Sequence, residues 1–212
     1  MPPKARHTRE DIIDAGLDIA RTKGIDAVTA MEISKKLGTS VSPIFTHFNT
    51  LDELRCAVRD KSWDIFSSYL KIADDYAPSF KMRGMQLVRF SKDEPELFKL
   101  LLMAKTDDTS FSALMGERVR DFESDIETIE KDYGVSKDDA QHIFDKMWVF
   151  TYGMCVMISC GIASFTDEET VTLLGEQFAG MLMMTKSGSK DAVKLVPVPK
   201  NEWTKKSMFP DV

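Results

Sequence analysis

The sequence predicts an all-α protein, with a short helix-turn-helix unit near its N-terminus and a larger helical body after it. Apolar residues recur at intervals of three and four almost throughout the chain, and no stretch alternates with period two long enough for a sheet. Three hydroxyl residues that are each followed by Glu three positions later mark helix starts, at Thr29, Thr50 and Thr166. Glycine and proline supply the breaks between the periodic segments.

The first helix is expected at residues 8–22. Ile12, Leu17 and Ile19 fall on its inward side, and charged residues occupy the positions between them. Gly24 follows directly, and glycine commonly ends a helix because it adopts backbone conformations that other residues avoid. The segment is therefore an amphipathic helix that packs on one side only.

Two very short helices are expected next, at residues 29–36 and 40–46. Gly38 lies between them and can take the left-handed conformation that ends the first. Ser40 is expected to cap the second, and Pro43 falls in its first turn, where a missing N–H does little harm. Two short helices joined in this way form the helix-turn-helix pattern.

A longer helix at residues 51–75 leads away from this unit. Its expected inward stripe is Leu54, Val58, Ile65, Tyr69 and Ile72. Five further helices are expected in the body, at residues 79–92, 94–105, 110–132, 136–163 and 166–186. The chain thus divides into a domain at 1–50, a second domain at 51–186, and a tail at 187–212 that lacks helical periodicity.

Composition bounds the function. The chain has 212 residues, 43% of them apolar, and a net charge of −6. The net charge of the whole protein therefore gives no indication that it binds nucleic acid. The charge is unevenly distributed, because residues 1–60 hold nine basic and nine acidic residues and are neutral overall. No Asp or Glu occurs between Glu32 and Asp52. Such a gap can arise by chance, can face a protein partner, or can face a polyanion.

Several classes of protein are disfavoured. The start of the chain is too polar for a secretory leader, and the apolar segment 147–165 is interrupted by Ser, Thr, Gly and Cys, so we interpret it as a core helix and not a membrane span. Three cysteines without metal-ligand spacing fit the cytoplasm, and no metal or cofactor is expected. An enzyme is not expected either. His142 and Cys155, the nearest base and nucleophile, lie roughly 20 Å apart along one helix, and Cys155 and Cys160 are expected in the core.

The N-terminal segment resembles the TetR family of bacterial transcriptional repressors. The resemblance spans roughly residues 8–56, about a quarter of the chain. It is carried by Arg9-x-x-Ile12-x-x-Ala15-x-Leu17, by Gly24-Ile25-x-x-Val28-Thr29 and Ile33, and by Leu37-Gly38-Thr39-Ser40 followed by Ile44-Phe45-x-His47-Phe48 and Leu54. Weaker echoes occur at Glu94-Pro95-Glu96-Leu97-Phe98 and at Trp148-x4-Gly153.

The resemblance implies that the first domain binds double-stranded DNA. The implied DNA-binding residues are Thr29, Lys36, Ser40, Val41, Ser42, Pro43, Phe45, Thr46 and His47. Val41, Ser42 and Pro43 are expected at base edges, while the basic leader Lys4, Arg6, His7 and Arg9 is expected along the backbone or in the minor groove. The family usually has tyrosine at Phe45 and lysine at Leu51, so two phosphate contacts are missing here. The absence of acid agrees with this function, because phosphates repel a neighbouring carboxylate.

Plainer roles stay open for some of these residues. His47 can simply pack against a neighbouring helix, Lys36 can be ordinary solvated surface, and Thr29 can serve only as a helix cap. The rival to DNA binding is a helical module that binds a small molecule or a protein and uses the helix-turn-helix for packing alone.

The second domain is expected to bind an effector and to dimerise. Helices 136–163 and 166–186 have broad apolar faces that need more cover than one copy supplies, which predicts a homodimer interface with a symmetric DNA operator. Many methionines suggest a cavity for a small apolar effector, although methionine also fills ordinary cores. The expected pocket residues are Phe98, Met103, Phe111, Met115, Phe122, Trp148 and Tyr152.

Overall fold

A computed structural model describes residues 7–104 and 122–188 of the chain. Within these two ranges the protein is helical and contains no strand, which confirms the all-α prediction. The helices are α1 (Arg9–Lys23), α2 (Ala30–Leu37), α3 (Ser42–His47), α4 (Leu51–Lys71), α5 (Ser79–Asp93), α6 (Pro95–Leu102), α7 (Phe122–Tyr133), α8 (Lys137–Ser159) and α9 (Asp167–Lys186). Short 3₁₀ turns occupy Ile25–Ala27 and Ile72–Asp75. The expected tail beyond residue 188 and the first part of the expected helix 110–132 lie outside the described residues.

The predicted helix starts are largely confirmed, but two of the three capping boxes are only half formed. The hydroxyl oxygens of Thr29 and Thr50 accept hydrogen bonds from the backbone N–H three residues later, at 3.2 and 3.0 Å. The glutamates that should complete these boxes are engaged elsewhere, since Glu32 pairs with Lys23 and Glu53 accepts from the Asn49 backbone. At Thr166 both halves of the box are present. A nearby donor can thus divert the glutamate while the hydroxyl cap persists.

The N-terminal helices form one small core with the first half of α4. Ile12, Ile33, Ile44 and Leu54, contributed by α1, α2, α3 and α4 in turn, are each at most 1% exposed. Helices α1 and α4 approach closely at Gly16, where an added Cβ would lie only 2.8 Å from Cγ2 of Val58. Glycine suits this position because any side chain would have to displace Val58.

The turn between α2 and α3 confirms one prediction and corrects another. Gly38 is left-handed, with φ 63° and ψ 37°, and the next N–H, of Thr39, donates to the Ser34 carbonyl at 3.0 Å. However, α3 begins at Ser42, and Ser40 does not cap it. Pro43 weakens a Ser40 cap. A capping hydroxyl bonds the N–H two or three residues on, and proline removes the second of these donors.

Helix α4 ends four residues earlier than predicted. Leu54 and Val58 are buried as expected, but Ile72 is 41% exposed. The chain tightens into a 3₁₀ turn after Lys71, which changes the rotation per residue and carries Ile72 out of the inward stripe. Ser62 and Phe66 continue the buried stripe instead, because they follow Val58 at the four-residue interval.

The body is arranged around the packed pair α5 and α8. Helices α7 and α9 both contact α8, and α6 contacts α5, α8 and α4. Met147, Met154 and Cys155 of α8 are buried, which confirms the interpretation of this segment as a core helix. Cys160 is exposed, so the expectation that it lies in the core was wrong. It follows the end of α8, where Gly161 turns the chain away with φ 67°. No helix in the described ranges is long and apolar enough to cross a bilayer.

A charged contact joins the N-terminal helices to the body. The Arg21 guanidinium at the end of α1 donates two hydrogen bonds to the Glu94 carboxylate between α5 and α6, at 3.0 and 2.7 Å. The Glu94 side chain is only 14% exposed and that of Arg21 is 36% exposed. Paired bonds of this kind fix orientation as well as distance.

Candidate nucleic-acid interface and ligand cavity

Helix α3 has one buried side and one open side. Ile44 and Phe48 are 1% exposed and anchor it to the N-terminal core. Val41 and Phe45 are 44% and 51% exposed, and Ser42 and Thr46 are exposed between them. Residues four apart share a helix face, so Ile44 and Phe48 lie on one side and Val41 and Phe45 on the other. The acid-free segment therefore presents small and apolar groups to solvent in the single chain.

Two carboxylates close to this segment are paired with cations. Asp18 of α1 lies 3.0 Å from the Lys36 ammonium, and Glu32 lies 2.6 Å from that of Lys23. The Lys23 hydrogen bond and charge lower the pKa of the Glu32 carboxyl. Pairing reduces the repulsion that these acids would exert on an approaching anion. Lys36 is exposed and engaged with Asp18, and its predicted DNA contact stays a prediction.

The other predicted interface residues are placed as follows. Thr29 caps α2 and is half-buried, Ser40 is exposed ahead of α3, and Pro43 is half-buried in the first turn. The Thr46 hydroxyl donates to the Ser42 carbonyl at 3.2 Å, a bond within the helix. The half-buried His47 has its Nε2 atom 3.2 Å from the His7 carbonyl oxygen, so it contacts the start of the chain and not only a neighbouring helix.

The start of the described chain lies directly against α3. The Arg9 guanidinium sits over the Phe48 ring, 4.6 Å from its centre, which is a favourable cation–π distance. Together with the His47 contact to His7, this places His7 and Arg9 beside the C-terminal end of α3. Lys4 and Arg6 lie outside the described residues. The predicted contact of the basic leader with the DNA backbone or minor groove stays a prediction.

The body encloses an apolar cavity of about 90 Å³ between α4, α5, α7, α8 and α9. Six aromatic side chains dominate its lining: Phe66, Phe80, Tyr133, Phe144, Trp148 and Phe178. Their rings contact one another, with centres 4.7 Å apart for Tyr133 and Phe178 and 5.8 Å apart for Phe80 and Phe178. The cavity is thus an aromatic cage with room for a small apolar group.

Of the predicted effector residues whose side chains the structure describes, only Trp148 lines this cavity. Phe98 is fully buried, with its ring 5.9 Å from that of Tyr152, whose hydroxyl donates to the Leu102 carbonyl at 2.9 Å. Met103 lies beside Ser159 in the same layer between α6 and α8. These three residues therefore fill space between two helices.

The remaining predicted pocket residues stay predictions. Phe111 and Met115 lie outside the described residues, and the side chain of Phe122, at the start of α7, is not described.

The polar groups of the cavity are few. The Arg83 guanidinium lies 3.2 Å from the Asp125 carboxylate and 3.6 Å from that of Asp74, which is outside the cavity lining. Burial, and to a lesser degree the charge of Asp132, raises the pKa of the Tyr133 hydroxyl. Lys81 also lines the cavity, at its solvent-facing side. Sequence reasoning missed most of this lining. The helical spacing of the apolar residues Phe80 and Leu87 on α5 was the signal in the sequence that could have indicated this lining.

The cysteines offer little for catalysis. Burial raises the pKa of the Cys155 thiol to about 12, so the thiolate that would act as a nucleophile is scarce at neutral pH. Cys56 and Cys160 are exposed on other parts of the molecule.

Comparisons with known proteins agree with this arrangement. The sequence model for bacterial regulatory proteins of the tetR family matches residues 12–58, which include α1 to α3 and the start of α4. A crystal structure from Mesorhizobium loti MAFF303099, of a protein assigned to the TetR-family transcriptional regulators, superposes with a TM-score of 0.58. The two sequences are 16% identical, and the match covers 85% of this chain and 98% of that one. Identity at this level shows a shared fold. No curated protein matches the chain.

Proposed function

We propose that this chain is a ligand-responsive transcriptional repressor of the tetR family, whose sequence model matches residues 12–58. The observation that carries the proposal is the open side of α3, where Val41, Ser42, Phe45 and Thr46 are exposed within an acid-free segment. A helix can enter the major groove only if its exposed groups tolerate nearby phosphates, and these do. We also propose a cytoplasmic location, since the DNA target requires it.

We propose that two chains bind one operator. Val149, Ile162 and Met183 are 55%, 72% and 73% exposed in the single chain, and they lie on or directly after α8 and α9. Large exposed apolar groups on adjacent helices suit an interface between copies. A two-fold dimer of this kind would set its α3 helices about 34–36 Å apart, which requires a symmetric operator. Leu174 and Met181 are already buried in one chain, so the interface would use the opposite side of α9.

The ligand response is proposed to act through α4. Phe66 and Leu70, in the second half of this helix, line the cavity, while its first half packs against the N-terminal helices. A ligand that fits better when α4 is tilted would shift the population towards a dimer whose α3 helices no longer match the groove spacing. We retain the division into 1–50, 51–186 and the tail 187–212 as part of this proposal.

Selection of duplexes from a randomised DNA library tests the proposal and requires no assumption about the operator sequence. Enrichment of a two-fold symmetric site is expected, with half-sites about 10 base pairs apart. Ser42→Glu should then weaken binding to that site by about thirtyfold or more, because like charges brought together at an interface cost several kcal/mol. Ser67→Glu, on the exposed surface of α4, is the matched control and should leave affinity unchanged.

Three readouts decide the result. Light scattering should give the same mass for both variants, and binding should weaken with salt as phosphates release counterions. Equal DNA affinity for Ser42→Glu and Ser67→Glu would show that α3 does not contact the DNA. A library without any enriched site would favour the rival, in which Val41 and Phe45 form an apolar contact with another protein.

A further inference from the structure

The charged groups of the cavity carry information about its ligand. Among the residues that the structure describes, three charged side chains line it: the cations of Lys81 and Arg83 and the carboxylate of Asp125. Two positive charges and one negative charge leave a net charge of +1, although the whole protein has a net charge of −6. The cavity therefore departs from the average sign of the molecule.

Arg83 is already engaged by acids. Its guanidinium lies 3.2 Å from Asp125 and 3.6 Å from Asp74, and its side chain is 19% exposed. A guanidinium held between two carboxylates has little positive potential to offer a further anion. It also fixes the Asp125 carboxylate in the wall, which leaves that acid poorly placed to attract a cationic ligand.

Lys81 is different, because it makes no ion pair with any residue in the described parts of the chain. Its Nζ atom lies 3.7 Å from the place a Cβ would occupy on Gly175, and both residues line the cavity. The absence of a side chain at Gly175 thus leaves space in front of the ammonium group. A ligand that fills the aromatic cage would extend its end group towards this point.

The size of the cage limits the ligand. Along α5 the lining runs from Phe80 to Leu87, and along α8 it runs from Phe144 to Thr151, which is roughly 10 Å of helix in each case. A phenyl ring with a short alkyl chain, or a hydrocarbon chain of similar length, spans this distance. Such a body matches the cavity in length but exceeds its volume of about 90 Å³, so its entry requires the surrounding helices to separate.

We propose that the cavity binds an amphipathic organic acid, whose aromatic or hydrocarbon body lies in the cage and whose carboxylate lies against Lys81. This inference rests on the proposed function, because it names the chemical class of the effector of that same site. An amine of the same shape would bring its charge against the lysine. A neutral alcohol would gain the same apolar contacts without the charge contact.

Calorimetry with three matched probes tests the proposal: 4-phenylbutyrate, 4-phenylbutanol and 4-phenylbutylamine. For the full chain, the acid should bind about fivefold more tightly than the alcohol, as expected for a partly exposed ion pair, and the amine should bind most weakly. Lys81→Gln should bring the acid and the alcohol to equal affinity. Lys81→Arg should preserve the preference for the acid.

Two controls address the location of the site. Lys146→Gln, at an exposed lysine of α8 outside the cavity lining, should leave the preference for the acid intact. Gly175→Leu should weaken all three probes, because its side chain enters the space in front of Lys81, and leucine is well tolerated in a helix. The thermal midpoint of each variant confirms that it is folded.

The outcomes separate this inference from the proposed function. Equal affinity for the acid and the alcohol in the unmodified chain, or no binding by any probe at millimolar concentration, overturns the inference while operator binding stands on its own assay. If the acid binds in a way that depends on Lys81 but the protein enriches no DNA site, the inference is supported and the proposed repressor function is refuted. If the acid binds and also lowers affinity for the selected operator, both are supported.

Discussion

The ion pair between Arg21 and Glu94 allows a sharp test of how the N-terminal helices are held to the body. We predict that Glu94→Gln lowers the free energy of unfolding by about 2 kcal/mol. Glutamine keeps the size of the side chain and one oxygen acceptor, but it removes the charge. It also turns an NH₂ group towards the Arg21 guanidinium, so one of the two hydrogen bonds at 3.0 and 2.7 Å is lost outright.

The magnitude follows from the exposure of the pair. Fully exposed ion pairs contribute about 0–1 kcal/mol, and removal of one partner from a buried pair costs about 3–5 kcal/mol. The side chains of Glu94 and Arg21 are 14% and 36% exposed, which places the pair between these limits. For a chain of this length, 1 kcal/mol lowers the thermal midpoint by about 2–4 °C, so a decrease of about 4–8 °C is expected.

The assay is urea denaturation, with Glu96→Gln as the matched control. Glu96 also lies at the start of α6, so both substitutions remove the same favourable interaction with the helix dipole. Its own partner is Lys99, three residues away on the same helix, and both side chains are about one third exposed, at 31% and 35%. The control should therefore cost no more than about 0.5 kcal/mol. Equal losses for the two variants would mean that the bidentate contact adds nothing beyond a helix-end charge.

Two further predictions concern packing and thiol chemistry. Gly16→Ala should lower the free energy of unfolding by about 1 kcal/mol, because overpacking against the stiff Val58 side chain costs about 1–3 kcal/mol and the helix gains up to about 1. Gly180→Ala in α9, where nothing lies within 4 Å of the new Cβ, should raise it by about 0.5–1 kcal/mol, and a loss at both sites or at neither would contradict the argument. Iodoacetamide at pH 8 should label two thiols of the native protein and reach Cys155 only after denaturation, since a pKa of about 12 leaves roughly one thiolate in 10⁴. The thiolate fraction grows as the pH rises towards that value, and rapid labelling of all three thiols at pH 8 would refute its burial.

The local sequence was sufficient to predict most of the helices and the open side of α3. Periodicity and caps act over a few residues, so the helix starts at Thr29 and Thr50 are visible in the chain itself. The same local signals misplaced the start of α3, although the cause was present in the sequence. Proline at residue 43 removes one of the two N–H groups that a cap at Ser40 could bond.

The cavity could not be predicted in this way. Periodicity identifies which side of a helix is buried, but it does not tell a filled interior from an empty one, because that depends on how side chains from several helices meet. Phe98 and Tyr152 were reasonable pocket residues, yet their rings contact each other and fill the space between α6 and α8. The pairing of Arg21 with Glu94, which are 73 positions apart, likewise has no signature in spacing.

The close approach at Gly16 has a mechanical consequence. Helices α1 and α4 touch at Gly16, so we expect the first half of α4 and the N-terminal helices to move together as one rigid body. Helix α4 has 21 residues and is roughly 31 Å long, so a rotation of about 5° at its cavity end swings the other end by roughly 3 Å. Under the proposed ligand response, a small adjustment around Phe66 would therefore move α3 by nearly the length of a hydrogen bond.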